Sequence, residues 1–182
     1  MKVALPALQK LLEVRQEPEF IYLCIKFLWK AVHYEINAEI KQLACVWMPL
    51  LQLVIGSTNA QYDAHPEDTQ PRETEEFYYF HSKKWATRIL LRFVQKHAKK
   101  ISFNKNEDNR QFSEHWYKTY GGTLITALIQ QFGVNTTKKV RYFQMKCLHS
   151  LINERPEDVK QYAETFQYDV LIKYLKLQPE DE

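Results

Sequence analysis

One stretch of the chain, from Phe77 to Lys100, constrains the fold more than any other. Its apolar residues recur every four positions, at Trp85, Ile89 and Phe93, which is the pattern of an amphipathic helix packed on a core. Basic residues follow the same spacing beside this apolar stripe, and no acidic residue interrupts them. The pattern predicts one long helix with a wide core face and a basic ridge, which comprises Lys84, Arg88, Arg92, Lys96 and Lys100.

The ridge has two interpretations. It could bind an acidic partner or nucleic acid, but charged stripes on exposed helix faces are common, so an ordinary solvated face is favoured. The preceding segment, residues 57–76, is strongly acidic, and its low hydrophobicity predicts disorder or a solvated excursion. We expect it to act as a loose cover that competes with an acidic partner for the ridge. Its acidic residues are Asp63, Glu67, Asp68, Glu73, Glu75 and Glu76.

The rest of the chain is also predicted to be helical. Only 4 glycines occur among 182 residues, and long periodic segments separate the few turn signals. Pro49 should kink one helix and Gly56 should end it. Gly121 and Gly122 should allow close contact with a neighbouring helix. The expected helices cover 5–15, 18–34, 38–55, 77–100, 111–132, 136–153 and 157–176.

Several local expectations follow from this pattern. Asn37 should cap the helix over 38–55, and Thr136 or Thr137 the helix over 136–153. In the helix over 18–34, Phe27 should lie on the inner face together with Phe20, Cys24, Leu28 and Ala31. Trp85 should be buried between the two helices of the middle hairpin.

The helices group into three hairpins, over about 17–56, 77–133 and 136–177. A helical hairpin that recurs roughly every 40 to 47 residues is typical of HEAT and armadillo repeats. Each hairpin alone leaves an apolar face uncovered, so the units should stack. We therefore predict an all-α fold, an α-α superhelix of helical hairpin repeats that forms a single solenoid segment over 1–182.

No constellation of residues indicates catalysis, a cofactor or a metal, and we expect no enzyme activity. The 6 histidines are scattered without a metalloprotease spacing, and the 3 cysteines are far apart among apolar residues. Cys147 and His149 point away from each other on one helix, which excludes a catalytic pair. The longest apolar run is too short to span a bilayer. A net charge of +3 is too small to indicate nucleic acid by itself.

The block Lys83-Lys84-Trp85-Ala86, followed by Ile89-Leu90 and Arg92-Phe93, resembles a block in importin-beta-type nuclear transport receptors, or karyopherins. The likeness is closest to the branch that contains importin seven and importin eight. An acidic loop with prolines precedes the block in both, and the likeness extends from about Glu17 to the end of the chain. Receptors of this family are several times longer, so we expect this chain to be an internal fragment or a truncated relative.

The resemblance implies a superhelical solenoid that binds cargo proteins, is controlled by the Ran GTPase, and contacts nucleoporin phenylalanine–glycine repeats through clefts between outer helices. It implies a location in the cytoplasm, the nucleus and the nuclear pore, with neither a membrane nor direct binding of nucleic acid. No Ran-contacting residue can be assigned from it. The alternatives are a scaffold or adaptor solenoid without a transport role and, with less support, an RNA-binding helical repeat protein that uses the ridge.

Overall fold

The computed structural model describes residue 10 and residues 17–34, 44–97, 111 and 114–154. In these ranges the regular elements are all helical, which confirms the all-α prediction for the described part of the chain. The expected helices over 5–15 and 157–176, and the Asn37 cap, lie outside these ranges. In chain order the elements are α1 (Pro18–Tyr34), α2 (Ala44–Gly56), α3 (Ala60–Ala64), α4 (Glu75–His97), a π-helical segment (Tyr117–Gly121), α5 (Gly122–Gln130), a 3-10 turn (Gln131–Gly133) and α6 (Lys138–Glu154).

Helix α4 lies at the centre of the described structure. It packs most extensively against α1 and α6, and it also contacts α2, which in turn packs on α5. The main neighbours of α4 are therefore helices that the hairpin grouping assigns to other hairpins. Because residues 35–43, 98–110 and 155–177 lie outside the described residues, the grouping itself stays a prediction.

A single apolar core joins these helices. Trp47 of α2 and Trp116 both pack on Phe93 of α4, with ring centroids 5.2 Å and 5.0 Å apart. Burial of such large side chains removes the most apolar surface from water and contributes most to the stability of the fold. Other buried members of the core include Ile25, Leu28, Val32, Leu51, Ile55, Ala86, Ile89, Leu90, Val94, Leu124, Ile125, Leu128, Cys147 and Leu151.

Side-chain caps explain where several helices begin. The Thr74 hydroxyl accepts a hydrogen bond from the Phe77 amide at 3.1 Å, so α4 begins at Glu75, two residues earlier than predicted. The Thr137 hydroxyl accepts from the Val140 amide at 3.3 Å, which confirms Thr137 as the cap of α6. Such caps satisfy amides that have no partner within the helix.

The prediction that Phe27 lies on the inner face of α1 is wrong. Its side chain is 41% exposed, and Leu23, one turn earlier, is 55% exposed. The buried residues of α1 include Ile25, Leu28 and Val32, which recur with spacings of three and four and so define the face that meets the core. Phe27 lies on the outer side of the same helix.

Residues 57–76 contain the short helix α3 and a set of local hydrogen bonds, and none of their side chains is fully buried, which agrees with the predicted solvated excursion and not with disorder. The Asn59 side chain accepts hydrogen bonds from the amides of Gln61 and Tyr62 and caps α3. The Asp63 carboxylate returns to the Asn59 amide at 2.8 Å. These local hydrogen bonds offset the entropy of ordering a polar segment, which composition alone does not reveal.

The helix predicted over 111–132 contains a π-helical segment at Tyr117–Gly121. A Cβ atom on Gly121 would lie 2.8 Å from Cδ1 of Tyr117, so the glycine leaves room for the ring of a residue in its own segment. The glycine pair predicted a close contact with a neighbouring helix. At Gly121 the close neighbour is instead Tyr117, which lies four residues earlier in the same segment. Segments of this kind interrupt the α-helical register by one residue.

The pattern predicted that Trp85 is buried between the two helices of the middle hairpin. This prediction is wrong. Trp85 is half-buried on the side of α4 that meets α1, with its ring centroid 5.1 Å from that of Trp29.

Candidate functional site

The structure places the described part of the basic ridge at the junction of α1, α4 and α6. Lys84, Arg88 and Arg92 are all half-buried, and the two interpretations of the ridge stay predictions. The side chain of Lys96 and the whole of Lys100 lie outside the described residues.

Arg88 lies among aromatic rings from three helices. Its guanidinium carbon is 4.5 Å from the ring centroid of Trp85, 4.8 Å from that of Trp29 on α1, and 5.0 Å from that of Phe143 on α6. A guanidinium in this position is attracted by the quadrupole of each ring and joins the three helices.

Lys26 on α1 and Lys139 on α6 extend the ridge into a cationic cluster. Nζ of Lys26 on α1 lies 4.6 Å from the Trp85 ring centroid, and Nζ of Lys84 lies 5.6 Å from it. Lys139, at the exposed start of α6, is close enough to act electrostatically on Lys84. We define the cationic cluster as Lys26, Lys84, Arg88 and Lys139.

Burial lowers the pKa values in this region, and nearby like charges add to the effect at Lys84 and His81. Burial lowers the pKa of Lys84, and the nearby charges of Lys139, Arg88 and Lys26 lower it further. Burial also lowers the pKa of Arg88. Burial is the main cause of the lowered pKa of His81, and the charges of Lys84, Lys139 and Lys26 lower it further. The hydrogen bond of His81 with the Phe77 carbonyl opposes the change. The cluster is thus a concentrated positive surface.

The acidic segment 57–76 mostly contacts other parts of the structure. The hydroxyl of Tyr79 donates toward Asp63, 3.0 Å away, and burial together with that carboxylate raises the pKa of Tyr79. The hydroxyl of Tyr62 donates to Glu75 at 2.9 Å. Asp68 reaches the cationic cluster, but its carboxylate accepts from the backbone amide of Lys139 at 3.3 Å. Competition between this segment and an acidic partner for the ridge stays a prediction.

Lys83, the immediate neighbour of the ridge, is completely buried. Its Nζ donates to Oε1 of Gln131 at 2.8 Å and lies 4.8 Å from the ring centroid of Tyr79. Burial lowers the pKa of Lys83 to about 8; Asp63 opposes this change and Arg141 adds to it. Sequence reasoning missed Lys83 as a buried group. Adjacent positions of a helix are separated by a wide angle, so Lys83 and Lys84 cannot lie on one ridge.

Gln131 connects Lys83 to two further parts of the chain. Its Nε2 donates to the carbonyl of Gly56 at 3.2 Å, and its backbone carbonyl accepts from Nη1 of Arg141 at 2.9 Å. Arg141 also donates to the Val134 carbonyl at 2.6 Å. The end of α2, the end of α5, and helices α4 and α6 thus meet in one buried polar network, in which each charged group has hydrogen-bond partners.

An open apolar cleft of about 440 Å³ lies between α2 and α5. Leu53 is 60% exposed at its edge. Small residues on the two helices, Gly56 and Ala127, leave the space for the cleft. The lining comprises Pro49, Gln52, Leu53, Gly56, Ser57, Ala127 and Gln130.

Neither a metal site nor a membrane span is found in the part of the chain that the structure describes. In those ranges no three His, Cys, Asp or Glu side chains are grouped so that they could hold a metal ion, and no helix is long and apolar enough to cross a membrane. Cys24 and Cys147 are free and buried, as predicted; the side chain of Cys45 lies outside the described residues. Burial raises the pKa of both described thiols, which makes them poor nucleophiles.

Comparisons with protein-family models, with curated protein sequences and with solved structures gave no match to this chain.

Proposed function

We propose that this chain is a protein-binding segment of an importin-beta-type nuclear transport receptor, and that its helices form part of a HEAT-like superhelix. Its partners would be cargo proteins, the Ran GTPase and phenylalanine–glycine repeats, and its location the cytoplasm, the nucleus and the nuclear pore. The sequence block around Lys83 to Phe93 supplies the resemblance to that family. The layered packing of α1, α4 and α6 is compatible with stacked helical repeats.

The observation that supports this proposal most directly is the cleft between α2 and α5. Its wall contains an exposed leucine, a proline and two small residues, so it is suited to one inserted apolar side chain. A short peptide with isolated aromatic residues can use such a cleft without ordering a long segment, which fits a weak and rapidly reversible contact. The resemblance implies clefts of this kind between adjacent helices.

Two other functions remain as alternatives. A scaffold or adaptor solenoid would use the same fold without binding phenylalanine–glycine repeats. An RNA-binding repeat protein would use the ridge, but stacking of bases requires open ring faces. Arg88 and Lys26 both lie over the ring of Trp85, so the structure favours protein over RNA as the partner of this region.

The decisive experiment measures binding of a phenylalanine–glycine repeat peptide to the chain by NMR titration. We expect the largest chemical-shift changes at the lining of the cleft and a severalfold weaker affinity for Leu53→Glu. Ile152→Glu is the matched control, because it introduces the same charge at another exposed apolar residue, on α6, which does not line the cleft. No binding by the parent protein, or an equal loss in both variants, would refute the use of the cleft and favour the scaffold alternative.

The Ran part of the proposal needs a separate measurement on the full-length gene product. Active-state Ran should be retained by that protein in a pull-down, and release of bound cargo should follow. Failure to retain Ran would remove the transport role, whatever the result for the cleft.

A further inference from the structure

The cationic cluster concentrates positive charge around one aromatic ring. The three charges of Lys26, Lys84 and Arg88 surround a single indole ring, and the electrostatic neighbours that act on Lys84 are all cationic. Like charges that are close together in a half-buried position destabilise one another. Cation–π contacts with Trp85 and Trp29 offset part of this repulsion but leave the net charge in place. An anion bound at the cluster would neutralise it.

The cluster continues into an exposed apolar pair on α1. Leu23 and Phe27 are one turn apart, and Lys26 lies three residues from Leu23, so Leu23 has both Phe27 and Lys26 beside it on the surface of the helix. Leu23 is 55% exposed and Phe27 is 41% exposed. The surface thus presents positive charge beside two large apolar side chains.

This combination distinguishes between classes of ligand. A nucleic acid would use the charge and could stack one base on Phe27, but the ring of Trp85 has cations over it and Leu23 offers no stacking platform, so part of the apolar surface would stay uncovered. A peptide with acidic residues next to an apolar residue would use both halves of the surface. Complementary charge would also accelerate its association.

We propose that this surface binds an acidic peptide segment of a partner protein, with its carboxylates on the cationic cluster and an apolar side chain on Leu23 and Phe27. The partner is separate from anything that binds in the α2–α5 cleft, and the inference does not depend on a transport function. The sequence predicted only the α4 part of this surface; Lys26 and Lys139 join it through packing of α1 and α6 on α4.

The test uses the whole chain and a labelled synthetic peptide that alternates glutamate pairs with single phenylalanines. Binding is measured by fluorescence anisotropy at low and at physiological ionic strength. The neutralising double variant Lys26→Gln/Lys139→Gln should weaken binding about fivefold, since two charge contacts are lost. The matched control, Lys118→Gln/Lys146→Gln, removes two exposed lysines that lie outside the cluster, and it should bind like the parent protein.

A second variant tests the apolar half of the surface. Leu23→Ser changes an exposed side chain, so the protein should stay folded, and it should weaken peptide binding severalfold at both salt concentrations. Circular dichroism checks the fold of each variant; if the double lysine variant is unfolded, Leu23→Ser and the salt dependence still test the proposal.

Three results would overturn the inference. The first is an equal loss of binding in the cluster variant and the control, which indicates nonspecific attraction. The second is unchanged binding by Leu23→Ser. The third is tighter binding of a single-stranded RNA of equal charge than of the peptide, which would assign the surface to nucleic acid. Loss of phenylalanine–glycine repeat binding in Leu53→Glu with normal acidic-peptide binding would separate this surface from the cleft.

Discussion

Replacing Lys83 by methionine removes a buried charge while keeping most of the side-chain volume. The fall of the Lys83 pKa from 10.5 to about 8 means that the protonated form is less favourable in the folded protein than in water by about 3 kcal/mol. The variant removes this unfavourable term. It also leaves Oε1 of Gln131 without the donor that is now 2.8 Å away, which costs about 1–3 kcal/mol. We therefore expect Lys83→Met to be between neutral and about 2 kcal/mol more stable than the parent at pH 7.

The pH dependence gives a sharper signature than the value at pH 7. At that pH Lys83 is protonated in both the folded and the unfolded state. Between pH 8 and 10.5 the unfolded state keeps a proton that the folded state releases, so the contribution of Lys83 makes the parent protein more stable as pH rises. Lys83→Met lacks this contribution, so any advantage of the variant should shrink across the same interval.

The assay is urea unfolding followed by tryptophan fluorescence at several pH values from 7 to 10. Lys118→Met is the matched control, because it makes the same substitution at an exposed lysine. It should change stability by less than about 0.5 kcal/mol, as surface substitutions do. Destabilisation of Lys83→Met by more than about 3 kcal/mol at pH 7, with pH curves parallel to those of the parent, would refute the reasoning and show that the Lys83–Gln131 contact outweighs desolvation.

Three further predictions concern α4 and the π-helical segment. Trp85→Ala should cost about 2–3 kcal/mol, less than the roughly 3–5 kcal/mol of Trp116→Ala, because Trp85 is only half-buried; equal losses in urea unfolding would contradict its placement. Gly121→Ala should destabilise the protein by about 1–3 kcal/mol through its clash with Tyr117, and a Tyr117→Val background should reduce the loss; an unchanged loss would exclude this clash. The pKa of His81 is lowered in the folded protein, so the unfolded state takes up the proton first and stability should fall as pH drops below 6.5. His81→Gln should flatten this pH dependence in thermal unfolding. An unaltered slope would assign the pH dependence to other groups.

Much of the helical structure can be predicted from periodicity. The long apolar stripe through Ile89 and Phe93 predicted α4, and its burial is confirmed. Gly56 was correctly predicted as a helix end and Thr137 as a cap. These features depend on residues that are close in sequence, so local patterns contain the necessary information.

The features that sequence could not predict depend on contacts between distant residues. The rotation of α1 that exposes Phe27 is set by which of its sides packs on α4, and several of its sides are apolar. Lys83 looks like one more basic residue until Gln131, 48 positions later, is placed beside it. Lys26 and Lys139 join the ridge only after α1 and α6 pack on α4. The order of residues 57–76 depends on hydrogen bonds, such as Tyr79 to Asp63, that composition does not encode.

The position of Gly56 has a mechanical consequence. It lines the cleft between α2 and α5, and its carbonyl accepts the hydrogen bond from Gln131, the residue at which α5 gives way to the 3-10 turn. A ligand side chain that separates the two helices must lengthen this hydrogen bond. The resistance of the cleft to widening therefore depends on the side-chain amide of Gln131, whose Oε1 also accepts a hydrogen bond from Lys83. The Gln131 side chain therefore links the walls of the cleft to Lys83 inside α4, so widening of the cleft would also disturb that buried contact.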